Sequence, residues 1–263
     1  MVNIPAKVKD RLIAGVKKYQ PIVAKAKDKD INESDTVTII SDILSDVFGY
    51  DKYTEITSEY AIKKTFCDLA IKIDGSPRLL IEAKAAGLEL KEQHIKQAVD
   101  YGSNSGVEWV ILTNSVSWKV YTIIFSKPVM ADLVYEFNFA DINTKKLCDL
   151  EMLYYLAKES VIKGNKSSLD EFYLQQQLIN RFTIGQILLT DPVLDAVRKT
   201  IKKISSDANV SNDEIRKIVL EEIIKRDVLD DEKAAEAKKK VAKALKPAAP
   251  KAAPTTEVKA TEV

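Results

Sequence analysis

The sequence predicts an α/β fold: a mixed central sheet flanked by helices, followed by a small all-α C-terminal unit and a tail. Three observations carry this reading. Two strand-like runs, 65–73 and 78–85, flank Asp74-Gly75-Ser76-Pro77, and Gly and Pro between apolar runs are the usual hairpin signal. Segments with apolar residues at helical spacing stand before, between and after the strand-like runs. Residues 246–263 hold three Pro and no aromatic residue, a composition that cannot bury enough apolar area to order itself. The chain thus divides into a helical extension at 1–30, an α/β domain at 31–163, a helical unit at 168–230 and an Ala/Lys/Pro-rich flexible tail at 231–263.

Taken in order, residues 5–29 predict a helix. Pro5 suits a first turn, Val8, Leu12, Val16 and Tyr19 recur on one side, and Pro21 is a point at which the helix can break or restart. Lys7, Lys9, Lys17, Lys18, Lys25, Lys27 and Lys29 form the other side, which is either a face for a phosphate backbone or simply solvated. Residues 33–48 predict the next helix. Asn32 suits its N-cap, Glu33 and Asp35 suit its positive first turn, and Val37, Ile40, Ile43, Leu44 and Val47 make its apolar stripe. Gly49 ends it. A strand over 53–62 and the hairpin follow.

Next come a helix over 88–103, closed by a Gly102–Gly106 loop, and two strands within 108–125 joined near Asn114-Ser115. An edge strand over 132–139 and a helix over 146–159 complete the domain. Trp118, Lys119 and Tyr121 either contact nucleic acid or belong to the core. Gly164–Ser168 is a polar linker. Residues 168–229 are helical, with capping boxes at Ser168/Glu171 and Ser211/Glu214 and a helix start at Asp191-Pro192. Leu178, Ile179, Phe182, Ile187, Leu194, Val197, Ile201, Ile204, Ile215, Ile218, Val219, Ile223 and Ile224 suit a three-helix core. Arg198, Lys199, Lys202, Lys203, Arg216 and Lys217 give that unit a basic side. Residues 231–245 can extend its last helix.

Composition narrows the function classes. The 40 Lys and Arg nearly balance the 39 Asp and Glu, for a net charge of +1, so a nucleic-acid role has to rest on a local patch. Cys67 and Cys148 make neither a metal pair nor a disulfide framework, which fits a reducing cytoplasm. His94 is the single histidine, which excludes a histidine-metal cluster and a Ser–His–Asp triad within one chain; it is expected at the surface. No apolar run approaches 18 residues, and the N-terminus lacks the apolar core of a signal peptide. No GxxxxGK[ST] loop is present, so this chain carries no nucleotide-driven motor.

The hairpin carries the chemistry. Alternation along a strand puts Asp68 on one face, with Cys67, Leu69 and Ile71 on the other. Glu82 and Lys84 share a face, opposite Ile81 and Ala83. Two carboxylates and a lysine at one sheet edge are costly to bury without a partner or a metal. The set suits phosphodiester hydrolysis. Asp68 and Glu82 are candidate ligands for a hard divalent cation, with the Ala83 carbonyl as a further donor, and Mg²⁺ prefers such oxygens. Lys84 is a candidate for orienting the attacking water and stabilising developing charge. The plainer reading of Glu82 and Lys84 is an exposed ion pair, worth little to stability.

Asp68 followed after a hairpin by Glu82-Ala83-Lys84 resembles the core of the PD-(D/E)xK nucleases, with Cys67 in place of the usual proline. Gln97-Ala98-Val99-Asp100-Tyr101 matches the QxxxY helix of a subgroup that includes type I restriction subunits. Asn32-Glu33-Ser34-Asp35-Thr36 resembles that subgroup's first core helix. Over roughly 30–145 the chain resembles the N-terminal nuclease domain of the type I restriction R subunit. The resemblance implies a restriction-endonuclease-like core. It further implies Mg²⁺, or Mn²⁺, held by Asp68, Glu82 and Ala83 with support from Glu33, and Gln97 and Tyr101 shaping the site or touching the phosphate.

The expected function is Mg²⁺-dependent endonucleolytic cleavage of DNA by a cytoplasmic protein, acting as a homodimer or with a separate restriction or defence subunit. A non-cleaving DNA- or protein-binding module of a defence or repair system is the alternative. A third reading places the working part in the helical unit and tail, as a partner-capturing protein.

Overall fold

The computed structural model describes residues 2–62, 65–162, 167–207 and 209–245. The chain forms two compact units, Met1–Tyr173 and Leu174–Val263.

The hairpin organises the first unit. Strands β2 (Thr65–Ile73) and β3 (Ser76–Ala83) are antiparallel. Asp74 and Gly75 both have positive φ, 50° and 76°, the backbone of a two-residue primed turn whose twist matches that of the strands. Ser76 and Pro77 therefore lie in β3 rather than in the turn, with Pro77 opposite Lys72 near the strand start, where a missing N–H is tolerated. β1 (Ile56–Ile62) pairs antiparallel with β2. β3 runs parallel to β4 (Trp109–Thr113), and α3 (Lys96–Ser105) makes the crossover. β5 (Ser117–Ile124) and β6 (Met130–Asn138) continue antiparallel, so the described residues form a six-stranded mixed sheet in sequence order.

The sheet is covered on both faces. Helices α1 (Ala6–Asp28), α2 (Glu33–Asp46) and α4 (Leu147–Tyr155) cover one, where Leu12, Ile40 and Leu153 meet Leu69, Ile81 and Trp118. On the other face α3 sets Ala98 and Tyr101 against Ala70, Leu80 and Val110. Each fully buried Leu, Ile or aromatic contributes about 1.5–3 kcal/mol relative to exposure. This layering fits the α/β nuclease-like fold.

Several elements differ from the sequence reading. α1 runs unbroken through Pro21, which lies on the exposed side, where water can satisfy the carbonyl left without a donor. The helix expected over 88–103 is a 3₁₀ turn, Glu92–Ile95, followed by α3. Residues 84–91 are held as a loop by Ala86 N–H to Ile31 O and the Asn114 amide to Leu88 O. Gly102 is buried inside α3, and Gly106, with φ 71°, caps it. The helix expected over 146–159 breaks at Leu156, whose carbonyl accepts the Tyr50 hydroxyl; α5 (Lys158–Val161) follows. The cap of α6 (Ser168–Leu178) is Ser167 with Asp170, one residue before the predicted Ser168/Glu171 box. Trp118 and Tyr121 are core residues, which removes them as stacking platforms for bases. Lys119 pairs with Glu136 at 3.5 Å. His94 is half-buried, and its Nδ1 accepts the Lys91 N–H.

The second unit begins inside α6 and contains α7 (Arg181–Leu188), α8 (Asp191–Ile204), α9 (Asn212–Ile218), a π-helical turn over Val219–Ile223, α10 (Arg226–Leu229) and α11 (Glu232–Ala244). Ser211 and Glu214 form the expected capping box. Leu194, Ile215, Val219, Ile224 and Val228 make the core. Leu178, Ile179, Ile187, Val197, Ile204, Ile218 and Ile223, expected to join it, are exposed. The helices are short and the π turn shifts the phase of the apolar stripe, so a three-helix core does not form. Residues 232–244 are a separate helix rather than tail, with Ala234 and Ala237 buried. The flexible tail expected over 246–263, and Gly164–Lys166 of the linker, lie outside the described residues. No helix among the described residues is long and apolar enough to cross a membrane.

Candidate active site

The site forms where the hairpin ladder ends. After a register shift between Lys72 and Ile71, β2 and β3 pair in step as far as Leu69 opposite Ile81. Beyond that pair, side chains of β2 take the place of its backbone. The Cys67 thiol donates to Ile81 O at 3.1 Å, and Asp68 Oδ2 accepts the Ala83 N–H at 2.7 Å. Plain alternation therefore fails at this point: Cys67 groups with Ala70 and Leu80 on the α3 side rather than with Leu69 and Ile71. Burial, with the Glu82 and Asp68 charges nearby, pushes the Cys67 thiol up to about 12. Cys67 is an inert wall of the site rather than a nucleophile.

At the end of β3, Lys84 N–H donates to Thr113 O at 2.9 Å and fixes the strand against β4. Its side chain turns back over the strand end. Lys84 Nζ lies 2.7 Å from Glu82 Oε1 and 2.7 Å from Ala83 O. Glu33 Oε2, from the first turn of α2, is 3.7 Å away, and Asp68 Oδ2 is 4.0 Å away. Four of the residues singled out in the sequence, together with the Ala83 carbonyl, thus converge on one point.

The electrostatics are uneven. The Glu82 side chain is only 4% exposed. Burial foremost pushes its carboxyl up to about 7, against the Lys84 hydrogen bond and with the Asp68 and Glu33 charges adding to the rise. Burial pulls the Lys84 ammonium down, but the bond to Glu82 and the surrounding carboxylates outweigh it and the net direction is up. Glu82 Oε2 is buried and has no hydrogen-bond partner among the described residues, a cost that natural structures rarely leave uncompensated. Three carboxylates face one ammonium.

Gln97 and Tyr101 are placed differently. Gln97 is exposed on α3. Tyr101 is fully buried among Cys67, Ala98 and Leu80. The sequence reading did not find the part played by Thr113, whose carbonyl fixes the Lys84 backbone; a Thr at the end of an apolar strand gives no signal of it.

Among the described residues, no group of three or more His, Cys, Asp or Glu stands close enough to hold a metal by side chains alone. Magnesium seldom needs such a cage: one or two carboxylates, with water and other oxygens, are its usual ligands. Asp68, Glu82 and the Ala83 carbonyl are hard donors of that kind. Their donor chemistry is compatible with such a cation, and Glu82 Oε2 has no hydrogen-bond partner among the described residues.

No curated protein and no solved structure matches the chain. A family model does. Residues 38–131, which include Asp68, Glu82, Lys84, Gln97 and Tyr101 but not Glu33, match the type I restriction enzyme R protein N terminus.

Proposed function

We propose that the first unit is a Mg²⁺-dependent deoxyribonuclease that hydrolyses DNA phosphodiesters endonucleolytically. The observation that carries this reading is the convergence of Glu82, Asp68, Glu33 and the Ala83 carbonyl on one cationic point at a strand end, beside the similarity of residues 38–131 to the type I restriction enzyme R protein N terminus.

Asp68, Glu82 and the Ala83 carbonyl would hold the divalent cation, Mn²⁺ serving in place of Mg²⁺. When bound, the cation makes water more acidic and neutralises charge on the phosphate under attack. Asp68 has its position set by the Ala83 N–H, so carboxylate and carbonyl stand in fixed relation. Lys84 directs its N–H groups to the attacking water and to the charge that develops on the phosphate. Glu33, half-exposed on α2, orients water at the mouth of the site. Tyr101 would shape the site from the core, and Gln97, exposed on α3, would offer its amide to a phosphate oxygen.

The test is nicking of supercoiled DNA by the whole chain with Mg²⁺ and with a chelator, beside Glu82→Ala and Lys84→Ala. Metal-dependent nicking lost in both variants is the expected result. Nicking that survives in both would place the chemistry elsewhere. No nicking on any DNA, with DNA binding retained, would favour the non-cleaving binding module.

A further inference from the structure

Lys84 stands in an unusual place for a residue whose work is to activate water. Its ammonium is in contact with Glu82 Oε1 and with the Ala83 carbonyl, both at 2.7 Å. Glu33 and Asp68 oxygens stand 3.7 and 4.0 Å away. These are the same oxygens that make the site suitable for a divalent cation. The Lys84 side chain is itself only 17% exposed, so the ammonium is enclosed by them rather than resting at the rim.

We infer that Lys84 is the resident counter-cation of this site, and that a divalent cation loads by displacing the Lys84 ammonium from Glu82 and the Ala83 carbonyl. This rests on the reading of the site as a metal centre.

Electrostatics supports the exchange. A buried carboxylate left alone is costly, and Lys84 compensates Glu82 through only one of its two oxygens, Oε2 remaining without a hydrogen-bond partner among the described residues. Three carboxylates around one monovalent cation leave an excess of negative charge. A divalent cation neutralises more of it at the same contact distances. Two cations cannot share Glu82 Oε1 and the Ala83 carbonyl at contact distance without strong repulsion. Lys84 therefore has two seats. In the first it holds the strand end together before the metal arrives. In the second it is released toward the phosphate. The cost is affinity: the protein's own ammonium competes with the metal, and the site loads only where the divalent cation outcompetes it.

The experiment is Mn²⁺ binding to the whole chain without DNA, read as loss of the free-ion electron paramagnetic resonance signal. Wild type is compared with Lys84→Met and with Lys119→Met, which removes a charge of the same unit that pairs elsewhere. Lys84→Met is expected to bind Mn²⁺ tighter by roughly tenfold or more, because its oxygens are released from competition. Lys119→Met is expected to stay within about twofold of wild type, its charge being screened by solvent. Equal or weaker binding by Lys84→Met, or equal tightening by Lys119→Met, overturns the inference and leaves the metal reading standing. Absence of Mn²⁺ uptake by wild type and variants overturns both.

A second measurement needs no variant at position 84. Wild type is treated with a small amine-directed reagent with and without Ca²⁺, and modification of Lys84 is mapped by mass spectrometry. Faster modification with Ca²⁺ is expected. An unchanged or slower rate overturns the inference.

Discussion

Two carboxylate–cation sites of the first unit differ in balance. Arg11 and Glu159 meet in a two-pronged pair, with Nη1 to Oε1 and Nη2 to Oε2 both at 2.7 Å. Arg11 Nε and Nη2 also donate to Val47 O and Phe48 O. Both carboxylate oxygens are used and the charges cancel. At the end of β3, one ammonium serves three carboxylates, and an oxygen of the most buried of them lacks a hydrogen-bond partner among the described residues. The first arrangement ties α1, the end of α2 and α5 together. The second ties elements together only weakly, since the closest partners of Lys84 are its sequence neighbours Glu82 and Ala83, and Glu33 of α2 stands 3.7 Å away. Local imbalance of this kind, buried and directed at one point, is the mark of a site shaped for something beyond folding.

The comparison can be broken in order of expected effect. Glu82→Ala should lower the Mg²⁺-dependent nicking rate by about 10³-fold, near 4 kcal/mol of transition-state stabilisation. Glu159→Ala should leave the rate per folded molecule unchanged, in the same assay.

The two carboxylates should also give opposite pH dependences of stability. Glu82 is raised from its ordinary 4.5 to about 7, so the metal-free folded protein holds this proton more tightly than the unfolded chain does. Its contribution is complete below pH 4.5 and is lost as pH rises through about 7, up to about 3 kcal/mol between the limits. Glu159 is lowered by the Arg11 hydrogen bonds, so its contribution is present above pH 4.5 and is lost as pH falls through its folded value. Urea unfolding from pH 3 to 8 should show Glu82→Gln flattening the neutral limb and Glu159→Gln flattening the acid limb. Mn²⁺ should restore stability at neutral pH in wild type and Glu159→Gln but not in Glu82→Gln.

Next in size is the balanced pair itself. Arg11→Met should cost about 2–3 kcal/mol of unfolding free energy, since it leaves Glu159 and two carbonyls without their donors. Gly49→Ala should act in the same direction: φ is +86°, and an added Cβ would stand 2.5 Å from the Arg11 guanidinium carbon. The smallest effect belongs to an exposed pair, Lys52 and Asp42. Asp42→Asn should cost under about 1 kcal/mol in the same unfolding experiment, and less in high salt.

Much of the first unit was legible because its signals are local. Asp74-Gly75 between alternating apolar runs specifies a hairpin whatever surrounds it. Asn32 before Glu33 and Asp35 marks a helix start, and the structure shows Asn32 Oδ1 accepting the Asp35 N–H. Glu82 and Lys84 share a face through the strand period alone. What could not be read depends on contacts between elements. The exchange of backbone for side-chain bonds at Cys67 and Asp68 requires β3 opposite. The enclosed position of Lys84 requires Glu33 from another helix. Pro21 carries a helix-breaking signal that the packing of Leu12, Val16 and Val23 overrides.

The second unit shows the converse. Its apolar residues recur at helical spacing, yet Ile204 is 83% exposed and Leu194 fully buried on the same helix. Periodicity describes one helix at a time and does not say whether a partner face exists.

The most direct measurement is anomalous diffraction from crystals of the whole chain soaked with Mn²⁺. The result predicted is a single strong peak bonded to Asp68, Glu82 and the Ala83 carbonyl, with Lys84 Nζ moved away from Glu82 Oε1. Crystals that show no peak at these oxygens under saturating Mn²⁺, with Lys84 still bound to Glu82, would contradict it.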